Sequence, residues 1–287
     1  MIAALVVPGV AVLVFALVVP LGFSIYYGLT DWAGFGDYRR VGVANYREIL
    51  TEDPVFWRSL WNVVVLMLVT IFVQNPIAFA LAAVLSHVSV RLSRVLRTVY
   101  FIPAVLSLVI VAKLWVSVFN PNVGIVNKLL IAVGLDRLAT SWLSDPHTAL
   151  AAVIWIIVWQ GFGWALLFYY AGLMTVPRDL VEAARIDGAS WLQTYTRVII
   201  PYLTPVLSAV IVIDVVSSMK QMELIYLTTG GGPGQRTQFL GVYLYQKAFV
   251  AGEYGYGNAL SVVFVVVAIG LTLLVQRALR ALPRDGA

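Results

Sequence analysis

Six stretches of this chain are long and apolar enough to cross a lipid bilayer, and this limits the possible folds more than any other feature. A membrane-spanning helix needs about 20 mostly apolar residues, because the hydrocarbon core is about 30 Å thick. Of the 287 residues 61% are hydrophobic and only 11% are charged, which is too little charge to cover a soluble domain. The sequence therefore predicts an all-α membrane protein with a single transmembrane domain (1–287) and six spans, at residues 3–27, 61–86, 96–119, 149–174, 203–224 and 256–277.

The basic residues between the predicted spans indicate how the chain is oriented in the membrane. Loops on the cytoplasmic side usually carry an excess of Lys and Arg. Arginines cluster after the second, fourth and sixth predicted spans, at Arg91, Arg94, Arg97, Arg178, Arg185, Arg197, Arg277, Arg280 and Arg284. The opposite loops also hold basic residues, but they carry most of the acidic ones. We therefore expect both termini and the segment 175–202 to be cytoplasmic, and the first span to be retained rather than cleaved as a signal peptide.

An amphipathic segment separates the fourth and fifth predicted spans. Residues 178–186 have the pattern of a helix, with Asp179 and Glu182 in its first turns. Gly188 can adopt the left-handed conformation that ends a helix, and Ser190 is a suitable N-cap for the next one. The pattern predicts a helix, a glycine turn and a second helix. This unit is either a solvated hairpin that caps the bundle or a docking element for a cytoplasmic partner.

Two predicted spans carry polar stripes at a similar depth. The fifth span has four polar residues at i, i+3, i+4 and i+7, which places them on one helix face: Asp214, Ser217, Ser218 and Gln221. The fourth span has a second stripe: Gln160, Gly161, Trp164 and Phe168. A carboxylate inside a membrane is costly and marks a candidate functional site. Amides, hydroxyls and an aromatic face suit a polyhydroxylated ligand, but Ser and Gln also hold neighbouring helices together.

Weaker polar signals lie in the second and third spans. Gln74, Asn75 and Pro76 interrupt the second span near its middle, which predicts a kink and hydrogen bonds between helices. Lys113 in the third span either reaches the membrane surface or pairs with Asp214.

Other kinds of site are excluded by the residues that the chain lacks. There are no cysteines, which excludes a disulfide framework and a thiolate metal site, and the two histidines are too far apart in sequence to suggest a metal site. The glycine-rich stretch TTGGGPGQRT (228–237) has no lysine, so it is not a phosphate-binding loop. We therefore predict no catalytic residue, no metal and no cofactor in this chain.

Residues 171–189, AGLMTVPRDLVEAARIDGA, with VIIP after them, resemble the EAA motif of binding-protein-dependent ABC importer permeases. Four further stretches occur in the order expected of carbohydrate-type permeases similar to the maltose and glycerol-3-phosphate systems: VGVANYREILTEDPVFWRSLWN (41–62), NPNVGIVNKLL (120–130), WLSDPHTAL (142–150) and LIYLTTGGGPGQRT (224–237). Tyr195 stands where Phe is usual, and Ile200 where Leu is usual. The chain also lacks the large periplasmic insertion and two extra spans of the larger maltose permease subunit.

The resemblance implies specific roles and partners. In that family the EAA hairpin inserts into the ATPase subunit, which assigns coupling roles to Glu182, Ala183, Ala184, Asp187 and Gly188. The substrate positions of the maltose permease fall on Gln160, Gly161, Trp164, Asp214, Ser218 and Gln221. The implied partners are a second, homologous permease, two ATPase subunits that bind ATP and Mg, and an extracytoplasmic solute-binding protein. The implied location is the bacterial inner membrane, and the implied cargo is a sugar.

Three other functions compete with this interpretation. An ion-coupled secondary transporter with Asp214 as proton carrier would be expected to have internal repeats, and the sequence has no such symmetry. An intramembrane enzyme would need paired catalytic groups at one depth, and Asp214 has no acidic or histidine partner in any predicted span. An ABC permease for a solute other than a sugar is the third alternative.

Overall fold

The structure is a computed structural model that describes residues 2–280, with side chains for residues 6–279. Arg284 and the side chain of Arg280, both used above for orientation, lie outside the described residues. Within that range the regular elements are helices, apart from one antiparallel residue pair between Thr30 and Arg40. In chain order the α-helices are α1 (Val6–Gly28), α2 (Ala44–Thr51), α3 (Pro54–His87), α4 (Val90–Val105), α5 (Leu108–Val118), α6 (Ile125–Ala132), α7 (Ala149–Leu173), α8 (Arg178–Ile186), α9 (Trp191–Tyr202), α10 (Thr204–Lys220), α11 (Glu223–Thr228), α12 (Leu240–Tyr245) and α13 (Tyr254–Arg280). A short 3₁₀ helix (Asp136–Leu138) lies between α6 and α7, and a wide π-type turn (Gln246–Val250) follows α12.

Helices α1, α3, α7 and α13 are each long and apolar enough to cross a membrane without a break. Two further pairs qualify only together: α4 with α5, bent by 97°, and α9 with α10, bent by 70°. The described residues thus hold four uninterrupted candidate spans, or up to six if each bent pair counts as one. The predicted span at 96–119 contains a break at Leu106 and Ser107, and the one at 203–224 extends past the end of α10. Hydrophobicity alone does not register such breaks.

Three helices contain a wide π-type turn shortly before a proline. A proline has no backbone N–H to donate, and its ring clashes with the carbonyl of the residue four positions earlier. A wider turn moves that carbonyl away and lets the helix continue. The three turns and their prolines are Val14–Val18 before Pro20, Thr70–Gln74 before Pro76, and Tyr195–Ile199 before Pro201. The predicted interruption at 74–76 is therefore a wide turn within a continuous helix.

Helix α7 lies at the centre of the bundle and packs mainly against α3 and α4. Gly163 on α7 permits the close approach of α4, because a Cβ atom there would lie 2.5 Å from the carbonyl oxygen of Tyr100. The same atom would lie 2.8 Å from the Cα of Phe101. Small residues allow such backbone contact between helices in membranes. This contact fixes the rotation of α7 and hence the direction in which its polar stripe points.

The buried apolar residues form two clusters with a polar layer between them. One cluster lies on the side away from the 175–202 segment, and we name it the outer cluster. It contains α3 and α7 residues up to Leu66 and Ile157. The inner cluster, on the side of the 175–202 segment, begins at Ala78 on α3 and Ala165 on α7. The polar residues of α3, α7 and α10 lie between these levels. The packing of the bundle therefore leaves one layer in which polar side chains from three helices meet.

Candidate functional site

A cavity of about 420 Å³ lies in the polar layer between α3, α7 and α10, and we name it the upper cavity. Its volume is within the range of about 300–1,000 Å³ that is typical of small-molecule sites. All seven residues predicted to contact a solute line it: Gln160, Gly161, Trp164, Asp214, Ser217, Ser218 and Gln221. The two polar stripes recognised in the sequence thus line the same cavity.

The structure corrects the position of one of these residues. Asp214, Ser217 and Ser218 lie on α10 as predicted, but the helix ends at Lys220. Gln221 follows with ψ 117°, in extended rather than helical conformation. Its predicted place at i+7 of the helix is therefore wrong, although its side chain still lines the upper cavity.

Aromatic rings form one side of the upper cavity. Trp164 and Phe168, one helical turn apart on α7, stack with ring centres 6.4 Å apart. Phe101 of α4 meets the Trp164 ring edge-on at 5.1 Å. Trp164 is 51% exposed in the isolated chain, so its face is accessible from the cavity. An aromatic face beside amides, hydroxyls and a carboxylate can pack on the apolar face of a sugar ring while the polar groups bind its hydroxyls.

Helix α3 contributes residues that the sequence did not single out as binding residues. Thr70 and Gln74, both nearly buried, line the upper cavity. The next residue, Asn75, donates from Nδ2 to Oδ2 of Asp214 over 2.9 Å. The predicted interhelical hydrogen bond at this position is therefore present. The signal for these residues was the polar pair Gln74–Asn75 at mid-span, which predicts a kink and an interhelical hydrogen bond but does not by itself indicate a solute site.

Lys113 does not pair with Asp214 in the described part of the chain. The Lys113 side chain is exposed, and Asp214 has no ion pair among the residues with described side chains. The side-chain partner of Asp214 is Asn75 rather than Lys113.

The segment between α7 and α10 is a hairpin whose turn is closed by local hydrogen bonds. Helix α8 ends in a Schellman motif: the Ala189 N–H donates to the Ala184 carbonyl over 2.9 Å, and the Gly188 N–H donates to the Arg185 carbonyl over 3.1 Å. Gly188 has φ +77°, as its predicted role requires. Ser190 then caps α9 in a capping box with Gln193. We name residues 178–194 the coupling hairpin, after the role that the family resemblance implies for them.

The coupling hairpin projects from the bundle, and α8 has no buried residue. Four of the five predicted coupling residues, Glu182, Ala183, Asp187 and Gly188, are exposed, and Ala184 is half-buried. Several large apolar side chains of the hairpin are exposed too, with Ile186 at 86% and Leu192 at 64%. Exposed apolar side chains beside charged ones are typical of a surface that another protein covers.

One aromatic residue ties the coupling hairpin to the bundle. Tyr195, immediately after the hairpin, is 5% exposed and lies in the inner apolar cluster with Phe79 of α3. Its ring centre lies 4.4 Å from that of Trp191 on the hairpin. A cavity of about 580 Å³ remains between the hairpin and the ends of α3 and α7. The hairpin is therefore connected to the bundle by the chain at its two ends and by the packing of Tyr195.

The outer end of the bundle is held together by a buried carboxylate. Asp53 is 8% exposed and caps α3, with Oδ1 accepting from the backbone N–H groups of Val55 and Phe56. Its Oδ2 accepts from the hydroxyls of Tyr243 on α12 and Tyr256 on α13. One side chain thus joins three helices.

Two asparagines have similar structural roles at the outer end. Asn62 donates from Nδ2 to the carbonyls of Arg236 and Gln238 and so attaches the glycine-rich stretch to α3. Asn127 of α6 accepts from the indole N–H of Trp142 over 2.7 Å. The stretches quoted above for the family resemblance contain all four of these residues: Asp53, Asn62, Asn127 and Trp142. At least part of the role of these stretches is therefore structural, because their side chains join the elements at the outer end of the bundle.

We expect Asp53→Ala to lower the stability of the protein by about 2–4 kcal/mol, because it removes a helix cap and two hydrogen bonds to a charged acceptor. The measurement is the thermal unfolding midpoint in detergent. Asp145→Ala is the control, since Asp145 also accepts from a backbone N–H and a hydroxyl, but it is only half-buried and both partners lie within five residues along the chain. Equal shifts of the midpoint in both variants would contradict the proposed anchoring role of Asp53.

Comparison with known proteins identifies the family. The model of the family described as "Binding-protein-dependent transport system inner membrane component" matches residues 74–285. This chain belongs to that family. A probable ABC transporter permease of Pyrococcus horikoshii is 37% identical over 88% of this chain and 86% of its own length. The xylose/arabinose import permease XacH of Haloferax volcanii is 33% identical, over 87% of this chain and 78% of its own.

A solved structure has the same fold. The structure of a bacterial alginate ABC transporter in complex with an alginate pentasaccharide-bound periplasmic protein contains a chain that matches with a TM-score of 0.83. The match covers 100% of this chain and 96% of that chain, at 22% sequence identity. As an inner membrane component of an ABC importer, this chain is a transport subunit, and ATP hydrolysis belongs to a separate ATPase subunit. The family membership establishes a multi-pass inner membrane protein.

Proposed function

We infer that this permease forms half of the path through which an ATP-driven importer moves a sugar or sugar-like solute. The observation that carries this inference is the upper cavity, in which seven predicted residues from α7, from α10 and from the position after α10 meet. Its donors, acceptors and aromatic face match a polyhydroxylated ring, and the name of XacH gives sugars as the cargo of a relative. We assign solute contact to Gln160, Gly161, Trp164, Asp214, Ser217, Ser218 and Gln221, with Thr70 and Gln74 added from the structure.

The upper cavity is open on one side, and this supports the proposal that a second permease subunit faces it. Trp164, Phe168 and Ile213 line the cavity, yet each is between 43% and 51% exposed in the isolated chain. A solute held by this chain alone would remain partly in contact with water or lipid. A homologous permease facing this surface would complete the site, as expected for a chain with a single coupling hairpin.

The coupling hairpin is proposed to dock on an ATPase subunit, one for each permease. The exposed Glu182, Ala183, Asp187 and Gly188, with the half-buried Ala184, would form the contact surface, and Ile186 adds an apolar anchor. ATP and Mg would be bound by the two ATPases, and this chain would hold no cofactor. By the positive-inside rule the hairpin and both termini face the cytoplasm, and an extracytoplasmic binding protein delivers the solute at the outer end.

Uptake measurements on the assembled importer test this function. Cells that contain this chain with its cognate permease, ATPase and binding protein are expected to take up radiolabelled D-xylose, L-arabinose or maltose. Uptake should stop when the ATPase is inactivated. Uptake that persists without the ATPase and collapses with an uncoupler would instead support the ion-coupled transporter with Asp214 as proton carrier. ATPase-dependent transport of a non-sugar alone, identified from the ligand that stabilises the binding protein, would reject the sugar assignment.

A further inference from the structure

A second cavity, of about 700 Å³, lies nearer the coupling hairpin, and we name it the lower cavity. Most of its lining is apolar, with Ile71, Phe79 and Leu207 among the contributors. Polar residues from α3, α7, α9 and α10 lie between these apolar side chains: Asn75, Tyr169, Thr196, Arg197, Thr204 and Ser208. Ser208 lies ten residues before Ser218 of the upper cavity, which is about 15 Å along the helix axis at 1.5 Å per residue. The two cavities therefore follow one another along the same helices, from the polar layer toward the hairpin.

Two polar atoms in the wall of the lower cavity are buried without a hydrogen-bond partner. They are the hydroxyl of Tyr169, a residue that is 1% exposed, and Oδ1 of Asn75, a residue that is 5% exposed. Neither atom has a partner among the residues whose side chains the structure describes. Buried polar groups are nearly always hydrogen-bonded, and both of these atoms belong to residues that line one cavity. Each would gain a partner if the wall opened onto an occupant with polar groups.

The chemistry of the two atoms specifies the occupant further. The Tyr169 hydroxyl can donate, and the Asn75 Oδ1 can accept. An alcohol hydroxyl both accepts and donates, so hydroxyls of one solute satisfy both atoms, whereas a lipid acyl chain satisfies neither. Thr204 and Ser208, at i and i+4 on α10, lie on one helix face and add hydroxyls to the lining of the lower cavity.

A single hydrogen bond marks the boundary between the two cavities. Asn75 lines the lower cavity and Asp214 lines the upper one, and the two side chains are joined at 2.9 Å. Asn75 therefore uses its donor at the boundary, and its acceptor Oδ1 stays buried and unpaired among the described side chains.

We propose that the lower cavity is a second binding site for the hydroxylated solute, on its way to the cytoplasm, which opens to the upper cavity when Asn75 and Asp214 separate. The proposal rests on the proposed function, because it assumes that the solute enters from the upper cavity. In the lower site Tyr169 donates to the solute and Asn75 accepts from it.

The absence of cysteine from the chain provides the first test. The assembled importer with Ser208→Cys is treated with the charged reagent 2-sulfonatoethyl methanethiosulfonate. A separate sample is treated with the apolar reagent N-phenylmaleimide. The subunits are separated on a gel, and the labelling of this subunit is measured. We expect the charged reagent to label Ser208→Cys without nucleotide and to fail after trapping with ATP and vanadate. Leu273→Cys is the control, because Leu273 is exposed on α13 but lines neither cavity. Labelling by the maleimide only would identify a lipid-filled cavity and overturn the proposal.

Tyr169→Phe provides the second test, because it removes only the unpaired hydroxyl. We expect the uptake rate of whichever of D-xylose, L-arabinose or maltose the wild type transports to fall about three- to ten-fold, as for the loss of one hydrogen bond. Tyr170→Phe is the matched control on the same helix, outside both cavities. A buried hydroxyl with no solute contact would leave uptake unchanged, and that result would also overturn the proposal.

The two proposals fail in different ways. If the importer function is wrong, uptake is independent of the ATPase and insensitive to Trp164 in the upper cavity. If only the lower site is wrong, uptake remains ATPase-dependent and sensitive to Trp164, while Tyr169→Phe transports normally or Ser208→Cys resists the charged reagent.

Discussion

Replacing Glu182 with lysine is expected to reduce ATP-driven uptake by about 100-fold or more, because reversing a charge in a docking surface costs several kcal/mol. Glu182 is exposed on α8 and contributes to no ion pair within the described side chains, so its loss leaves the fold of this chain intact. The measurements are uptake and co-purification of the ATPase with this subunit. Glu48→Lys, an equally exposed reversal on α2 at the outer end, is the control and should transport normally. Normal uptake by the Glu182 variant would count against docking at this surface.

Gly188→Val examines the geometry of the same hairpin without changing its charge. Valine is strongly disfavoured at φ +77°, so the turn between α8 and α9 would open and the docking surface would change shape. Gly134 is a closely matched control: it has φ +78°, ends α6 with the same pair of hydrogen bonds and also has free space around it. We expect Gly188→Val to abolish uptake and Gly134→Val to cost stability only. Equal effects on uptake would mean that strain, rather than docking, explains the loss.

Trp164→Ala is expected to reduce uptake by about 10- to 100-fold, because a solute ring loses its aromatic contact, and stacking of this kind is worth about 1–3 kcal/mol. The best control lies on the same helix. Trp155 is 55% exposed against 51% for Trp164, and it also meets another aromatic ring edge-on, but it lines a different, apolar cavity. Uptake should fall in Trp164→Ala and persist in Trp155→Ala, with equal amounts of both proteins in the membrane. Similar uptake in both variants would mean that Trp164 contributes to helix packing and does not contact the solute.

Local chemistry made the coupling hairpin predictable. The ends of α8 and α9 depend on Gly188, Ser190 and Gln193, whose hydrogen bonds reach at most five residues along the chain. Such contacts are encoded by adjacent residues, and the structure has them where the sequence placed them. The long apolar helices were predictable for a similar reason, since their length and composition are properties of continuous stretches.

Helix breaks and polar contacts between helices were harder to predict. The 97° bend between α4 and α5 and the end of α10 before Gln221 do not alter hydrophobicity, and they were missed. Thr70 and Gln74 were not assigned to the cavity because the direction of a polar side chain on α3 depends on how α3 packs against α7. The polar stripes on α7 and α10 were identified separately, but nothing in either stripe indicated that a third helix would complete the wall.

The sequence by itself determined that this chain is a helical membrane protein with an amphipathic hairpin between two spans, because span length, charge and capping residues act over short distances along the chain. Only the tertiary structure decided which polar groups meet. The bond between Asn75 and Asp214 joins residues 139 positions apart, and the unpaired hydroxyl of Tyr169 becomes meaningful only beside it. Such juxtapositions depend on the rotation and crossing of packed helices, which Gly163 and the wide turns before the prolines control.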